Sequence, residues 1–275
     1  PLLFTSIQAP AATFSVTAES CVASPGGYQW AVEQANNTPG RDTISIDVPR
    51  FWVYDCVHPD PASDLPIAIT ESVDIIGNGN TADASVAWVN PDGTVNDINT
   101  CPAKEIVWAN LGGALLDVGV RGTDSSGIDV TINGLNMIGL TTVGYVREYA
   151  TLTIEDSELR NIFSVRSSNC LTAILTIQDG ADLTLKNTEI YRANVPGVLA
   201  NFAPFPAGTE LIIGGDGDLV MENVLISGSG GKNTVAVSWY GGSVKVVSSS
   251  FLESNGFILG NTTMDFVNSV FQMWA

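Results

Sequence analysis

The unit "LTLKNTEIY", starting at Leu183, recurs along the second half of the chain. It returns as "VTINGLNMI" at Val130, "LTIEDSELR" at Leu152, "LVMENVLIS" at Leu219, "VKVVSSSFL" at Val244 and "MDFVNSVFQ" at Met264. A weaker copy, "VDIIGNGN", starts at Val73, and the intervals from Val130 onward are 22, 31, 36, 25 and 20 residues. Apolar residues hold positions 1, 3 and 8 of each full copy. Positions 1 and 3 alternate as in a strand and place both side chains on one face. Position 5 reads Gly134, Asp156, Asn187, Asn223, Ser248 and Asn268, residue types that tolerate left-handed or side-chain-bonded turns. Each unit therefore reads as strand, sharp bend, strand.

A shortest period of 20 residues is too short for paired helices, but it suffices for three short parallel strands wound into one coil of a solenoid. One coil cannot bury its own apolar face, so like positions must stack about 4.8 Å apart in vertical files. Further strand-like runs, "GALLDVG", "GYVREYA", "TAILTIQ", "TVAVSWY" and "GFILGN", supply the remaining strand of each coil. Longer intervals are expected to hold insertions at one corner, including "ANFAPFPAGTELIIGGDG". Near the front, Trp30, Ala31, Gln34 and Ala35 lie at helical spacing and Asn37 to Gly40 stop the run. A short helix there caps the open end of the solenoid and leads into the strand "DTISIDV". The expectation is an all-β parallel β-helix of about six or seven coils with an N-terminal amphipathic capping helix. Residues 1–20 form an extension able to offer a strand to a partner, and 21–275 form a single domain with an irregular insertion at about 50–110.

"TFSVTAESCVASPGGYQWAVEQANNTPGRDTISI" resembles the N-terminal segment of bacterial secreted proteins carrying the CSLREA motif. The matching residues are Cys21, Ala31, Ala35, Asn36, Pro39, Gly40, Asp42, Thr43 and Ile44, while Tyr28, Gln29 and Trp30 stand in the Ser-Leu-Arg-Glu region. Downstream units such as "LTLKNTEIYRANV" and "VKVVSSSFLESNG" look like the pectate-lyase-like repeat. These resemblances imply a right-handed parallel β-helix on a secreted or surface-anchored bacterial protein. They imply no particular activity, since the fold carries many functions.

Acidic residues outnumber basic ones 29 to 11, for a net charge of −18, which disfavours nucleic acid and anionic lipid as partners. No apolar run reaches the roughly 18 residues of a membrane span. "PLLFTSIQAP" has no basic n-region or cleavage site, as expected of a secreted or cell-surface chain whose signal peptide is already removed. Cys21, Cys56, Cys101 and Cys170 are widely spaced, and with His58 alone a zinc site is not indicated. Two disulfides in an oxidising compartment fit. Three pairings are open, with Cys56–Cys101 preferred because both flank the irregular segment; four buried thiols are the alternative.

Candidate chemistry is sparse. Asp182 and Asp218 precede repeat strands in adjacent coils, with Asp179 and Asp216 just upstream, so these four could hold Ca²⁺, although Asp-Gly is also ordinary turn chemistry. No other cofactor is indicated. Arg121, Arg147, Arg160, Arg166 and Arg192 are the candidates for a lyase base. Arg160 and Arg192 with Glu158 and Glu189 read more simply as a surface ion-pair ladder. No G-x-S-x-G elbow or P-loop occurs, and no catalytic residue is assigned. Tyr145, Tyr149, Trp239 and Tyr240 could stack on sugars if they face outward, and alternation allows only one of Trp239 and Tyr240 inside. The preferred function is a non-catalytic extracellular structural or adhesive protein. Its expected partners are surface glycans or itself, head to tail through an uncapped C-terminal coil and the N-terminal extension. The alternatives are a polysaccharide lyase or glycoside hydrolase, and a calcium-dependent glycan-binding module.

Overall fold

The computed structural model describes residues 11–53, 56, 66–84, 114–120, 122–140, 142–160, 166–167, 170–171, 173–191, 210–227, 235–252 and 256–272. Like residues do pile into vertical files. Val73, Val130, Leu152, Leu183, Leu219, Val244 and Met264 are successive register partners. The second file runs Ile44, Ile75, Ile132, Ile154, Leu185, Met221, Val246 and Phe266. From Ile44 to Val246 every member of that file is fully buried, so strand alternation delivers one continuous apolar column.

Three parallel sheets carry these files, as a β-helix requires. Sheet A has nine strands, running from Thr13–Val16 through Asp42–Ile46 and the repeat strands to Thr263–Val267. Sheet B has eight, from Arg50–Trp52 to Val270–Gln272, each following the bend after a sheet A strand. Sheet C has six, from Ala114–Val118 to Phe257–Gly260. The nine strands of sheet A exceed the six or seven coils expected. Thr13–Val16 pairs in parallel with Asp42–Ile46 of its own chain, so this part of the N-terminal segment belongs to the rod. Val73–Ile76 takes the sheet A place that the weaker copy at Val73 implies, and Arg50–Trp52 and Thr81–Asp83 are sheet B strands. Glu210–Gly215, expected within a bulging insertion, is a sheet C strand paired with Val235–Tyr240.

The bend between sheets A and B is the position-5 file. Asp156, Asn187, Asn223, Ser248 and Asn268 have φ between 47° and 53°, and Gly134 has φ 66°. Asn187 donates from Nδ2 to Asp156 Oδ1 at 2.9 Å, and Asn223 donates to Asn187 Oδ1 at 3.0 Å. A second polar file lies one residue on, at Ser157, Thr188, Ser249 and Ser269. Ser157 Oγ accepts from Leu135 N (3.2 Å) and donates to Glu155 O (2.7 Å), and Ser249 Oγ accepts from Val224 N (3.0 Å) and donates to Val247 O (2.9 Å). These hydroxyls satisfy the backbone groups that the bend would otherwise bury unpaired.

Sheet C departs from simple alternation. The file Leu115, Val143, Ile174, Leu211 and Ala236 shares a face with exposed Tyr240, yet all five are buried. Both faces are covered there, which is why these strands read as near-continuous apolar runs.

The helix Tyr28–Asn36 sits at the first coils. Gly27 begins it at a close crossing: a β-carbon there would lie 2.1 Å from Val22 O. Asn37 Nδ2 donates to Glu33 O and Thr38 Oγ1 to Gln34 O at its end. The buried face is Tyr28, Gln29, Ala31, Val32 and Ala35, broader than the predicted stripe. Trp30 instead meets Phe14 edge-on at 6.3 Å. Asn36 Nδ2 donates to Ala68 O (2.7 Å) and Asn36 Oδ1 accepts from Thr70 N (2.8 Å), tying the far end of the helix to the start of the next coil. The disulfide joins Cys21 to Cys56, with Cα atoms 4.8 Å apart, which corrects the preferred Cys56–Cys101 pairing. The bridge clasps the cap rather than the irregular segment, because the Ser20–Trp52 bridge sets the two chain segments side by side. Cys101 and the side chain of Cys170 lie outside the described residues.

Candidate functional site

The corner where sheet C turns into sheet A gathers most of the expected site residues. The last five coils bend there with a left-handed residue at one level, Tyr149 (φ 63°), Gly180 (71°), Asp216 (59°), Gly241 (105°) and Asn261 (52°), and Gly242 (53°) adds a second in its coil. Backbone bonds hold the neighbouring coils in step, from Asp216 N to Tyr240 O at 2.9 Å and from Gly241 N to Gly260 O at 2.7 Å. A chain leaving one sheet and entering the next within about four residues needs such a residue, and Gly, Asp and Asn meet the need at least steric cost.

The four aspartates split into two pairs by use. Asp182 Oδ1 accepts from Asp218 N at 2.8 Å, and Asp218 Oδ1 accepts from Ser243 Oγ at 2.7 Å. Each carboxylate thus clamps the first residue of the next sheet A strand. Asp179 and Asp216 stand one step earlier on the corner, both exposed. Among the described residues no group of three or more His, Cys, Asp or Glu side chains is gathered so as to hold a metal ion. Asp182 and Asp218 stand level in adjacent coils, while Asp179 is level with Gly215 and Asp216 with Gly180.

Of Trp239 and Tyr240 one is inside and one outside, as expected, although Ala236 to Trp239 are all buried and Tyr240 emerges only at the strand end. Trp239 is fully buried, its Nε1 donates to Gly217 O at 3.1 Å, and its ring lies so close to Gly214 that a β-carbon there would sit 2.3 Å from Cζ3. It is a core residue, which removes it from any glycan surface. Tyr145 is half-buried with the Arg147 guanidinium 5.0 Å from its ring centre. Tyr149 and Tyr240 face solvent.

The arginines are largely committed to structure. Arg147, buried, donates from Nε to Asp117 Oδ1 at 2.5 Å and from Nη1 to Gln178 at 3.1 Å. Gln178 in turn donates to Glu148 Oε2 at 2.9 Å. This chain, buried at Asp117 and Arg147 and half-buried at Gln178 and Glu148, went unread in the sequence because its members lie 30 and 31 residues apart at the ends of sheet C strands, outside the repeat unit. Arg160 pairs with Glu158 of its own strand, and Glu158 stands in register with Glu189, Arg160 with Tyr191. Arg41, unremarked in the sequence, bridges three coils on the outer face of sheet A. It donates to Asp74 Oδ1, to Asp129 Oδ2 (2.7 Å) and to Thr131 Oγ1 (2.9 Å). Hydrogen bonding to Asp74 leads the effects that push its guanidinium pKa above the ordinary value. Asp47 is held below the usual carboxylate range by the hydroxyls of Ser45 and Ser15. His58, Arg121 and Arg192 lie outside the described residues, as does the side chain of Arg166.

Fold and corner together define a class: a parallel β-helix, helix-capped at its first coils, with turn residues stacked into polar files. No family model matches the chain, and no curated protein matches it in sequence.

Proposed function

We propose that the chain is a non-catalytic extracellular β-helix protein with a structural or adhesive role. The observation that carries this reading is how the polar side chains are used. Asp182 with Asp218, Asp156 with Asn187 and Asn223, and Arg41 with Asp74 and Asp129 all join one coil to the next. Side chains engaged in cross-coil bonds make a stiff rod and are not free to move protons. A disulfide suits an oxidising compartment, and among the described residues no helix is long and apolar enough to cross a membrane.

The coil Thr263–Gln272 supports an assembling role. Met264, Phe266, Val270 and Phe271 are 40–55% exposed, although register places Met264 and Phe266 in the two inner files. Another parallel coil stacked here would extend both files, and a second copy of the chain is the partner that this reading assigns. Electron microscopy together with analytical ultracentrifugation tests it. Concentration-dependent end-to-end species that disappear in Phe271→Asp are expected. Monodisperse single rods at every concentration would remove the assembly part of the reading.

A further inference from the structure

Two exposed side chains on the corner share an arrangement that the rod's own packing does not require. Tyr149 is 57% exposed and Tyr240 51%. Each leans on a glycine of the next coil: a β-carbon at Gly180 would sit 2.4 Å from Tyr149 Cε1, and one at Gly260 would sit 2.9 Å from Tyr240 Cδ1. Both rings are therefore held against the rod wall, with about half of their surface left to water. Tyr149 also has φ 63°, where a bulky side chain costs strain that the other members of its file, Gly, Asp and Asn, avoid. Strain of this kind is retained where a side chain serves something other than the fold.

Placement turns the two rings into one surface. Tyr149 is level with Gly180, Asp216 and Gly241 in the next three coils, and Tyr240 immediately precedes Gly241. Three coil steps of about 4.8 Å set the tyrosines about 14 Å apart along the rod. Between them stand Asp179 and Asp216, both exposed and outside the cross-coil bonds that engage Asp182 and Asp218.

We propose that this corner is a binding strip for neutral oligosaccharide, with Tyr149 and Tyr240 each stacking on a sugar ring and Asp179 and Asp216 accepting hydroxyl hydrogen bonds between them. A pyranose ring presents an apolar C–H face and a rim of hydroxyl donors, which is the chemistry that an aromatic face beside free carboxylates receives. The same carboxylates, on a chain of net charge −18, repel uronic acid polymers. The inference rests on the adhesive form of the proposed function and names its ligand class.

The test is titration of the intact chain with cellotetraose, chitotetraose and mannotetraose, with tetragalacturonate as the acidic comparator, read by calorimetry and by tyrosine ring signals in NMR. At least one neutral tetrasaccharide binds and tetragalacturonate does not. Tyr149→Ala and Tyr240→Ala each weaken binding about tenfold, whereas the Phe variants keep it. Tyr149→Asn loses binding yet melts at or above the parent temperature, because Asn accepts the left-handed conformation. Neutral-sugar binding that survives both Ala variants overturns the proposal, as does failure of all three sugars at millimolar concentration. A lower melting temperature for Tyr149→Asn also overturns it, since the ring would then serve the fold. Cleavage of a sugar that depends on the same two rings keeps the strip and removes the non-catalytic reading instead.

Discussion

Asn187 sits in the middle of the left-handed bend file, and its replacement separates two contributions that the file combines. Its φ is 47°, and its side chain both donates to Asp156 and accepts from Asn223. The two amide bonds are solvent-exposed, so together they contribute about 1 kcal/mol. Forcing a residue with a β-carbon but no amide into the left-handed region costs about another 1 kcal/mol. Asn187→Ala is therefore expected to destabilise by about 2 kcal/mol and Asn187→Gly by about half as much, since glycine keeps the backbone and loses only the ladder. Equilibrium urea unfolding followed by near-ultraviolet circular dichroism measures both. Hydrogen exchange at the Asn187 and Asn223 amides, which bond to Glu222 O and Val247 O, localises the change. Equal cost for Ala and Gly would refute the left-handed requirement, and a Gly variant indistinguishable from the parent would refute any contribution of the ladder.

Other expectations follow from the cap and the core. Burial pushes the Tyr28 phenol well above its ordinary value. Its share of stability is thus complete below the unfolded-state pKa of about 10 and is lost as pH rises from there toward the folded-state value. Tyr28→Phe keeps the stack on Phe51 at 5.3 Å and removes a buried hydroxyl that has no partner. It should gain about 1 kcal/mol at neutral pH and flatten the alkaline loss, and a lower melting temperature at pH 7 would contradict this. Reduction of Cys21–Cys56, which closes a separation of 35 residues, should cost about 4 kcal/mol on the chain-entropy account. Melting with and without a phosphine reductant shows the loss, and exchange protection of the helix Tyr28–Asn36 should fall first; unchanged melting would separate the cap from the bridge. Leu183→Ala removes a fully buried member of the central file and should cost about 3 kcal/mol by denaturant unfolding; a cost below about 1 kcal/mol would mean that this file is not tightly packed.

The architecture was legible because a solenoid writes its geometry into periodicity. Positions 1 and 3 of the unit became the inner files, and position 5 became the bend. The first two strands of sheet A escaped the count because Phe14 and Ile44 are followed by no copy of the bend-and-strand pattern. Glu210–Gly215 escaped because its strand begins in a stretch rich in Pro and Ala that reads as a loop. The disulfide could not be read, since pairing depends on which segments cross at the cap, and Cys21 comes beside Cys56 only through the Ser20–Trp52 bridge. At the corner, one of Trp239 and Tyr240 is inside and the other outside, as expected, but both faces of that strand are buried up to Trp239 and Tyr240 is exposed by its place at the strand end. Of the aspartates expected at a calcium site, Asp182 and Asp218 are each bonded to the first residue of the next sheet A strand, a use that the sequence did not reveal.

The proposed function has this rod present a surface and perform no chemistry. The direct measurement is incubation of the intact chain with a panel of neutral and acidic polysaccharides. Reducing ends and unsaturated-product absorbance are followed in solution while the bound protein is quantified on the insoluble polymers. Retention on neutral polymer is expected, with neither product signal rising above the protein-free control; a sustained, protein-dependent rise in either signal would contradict the proposed function.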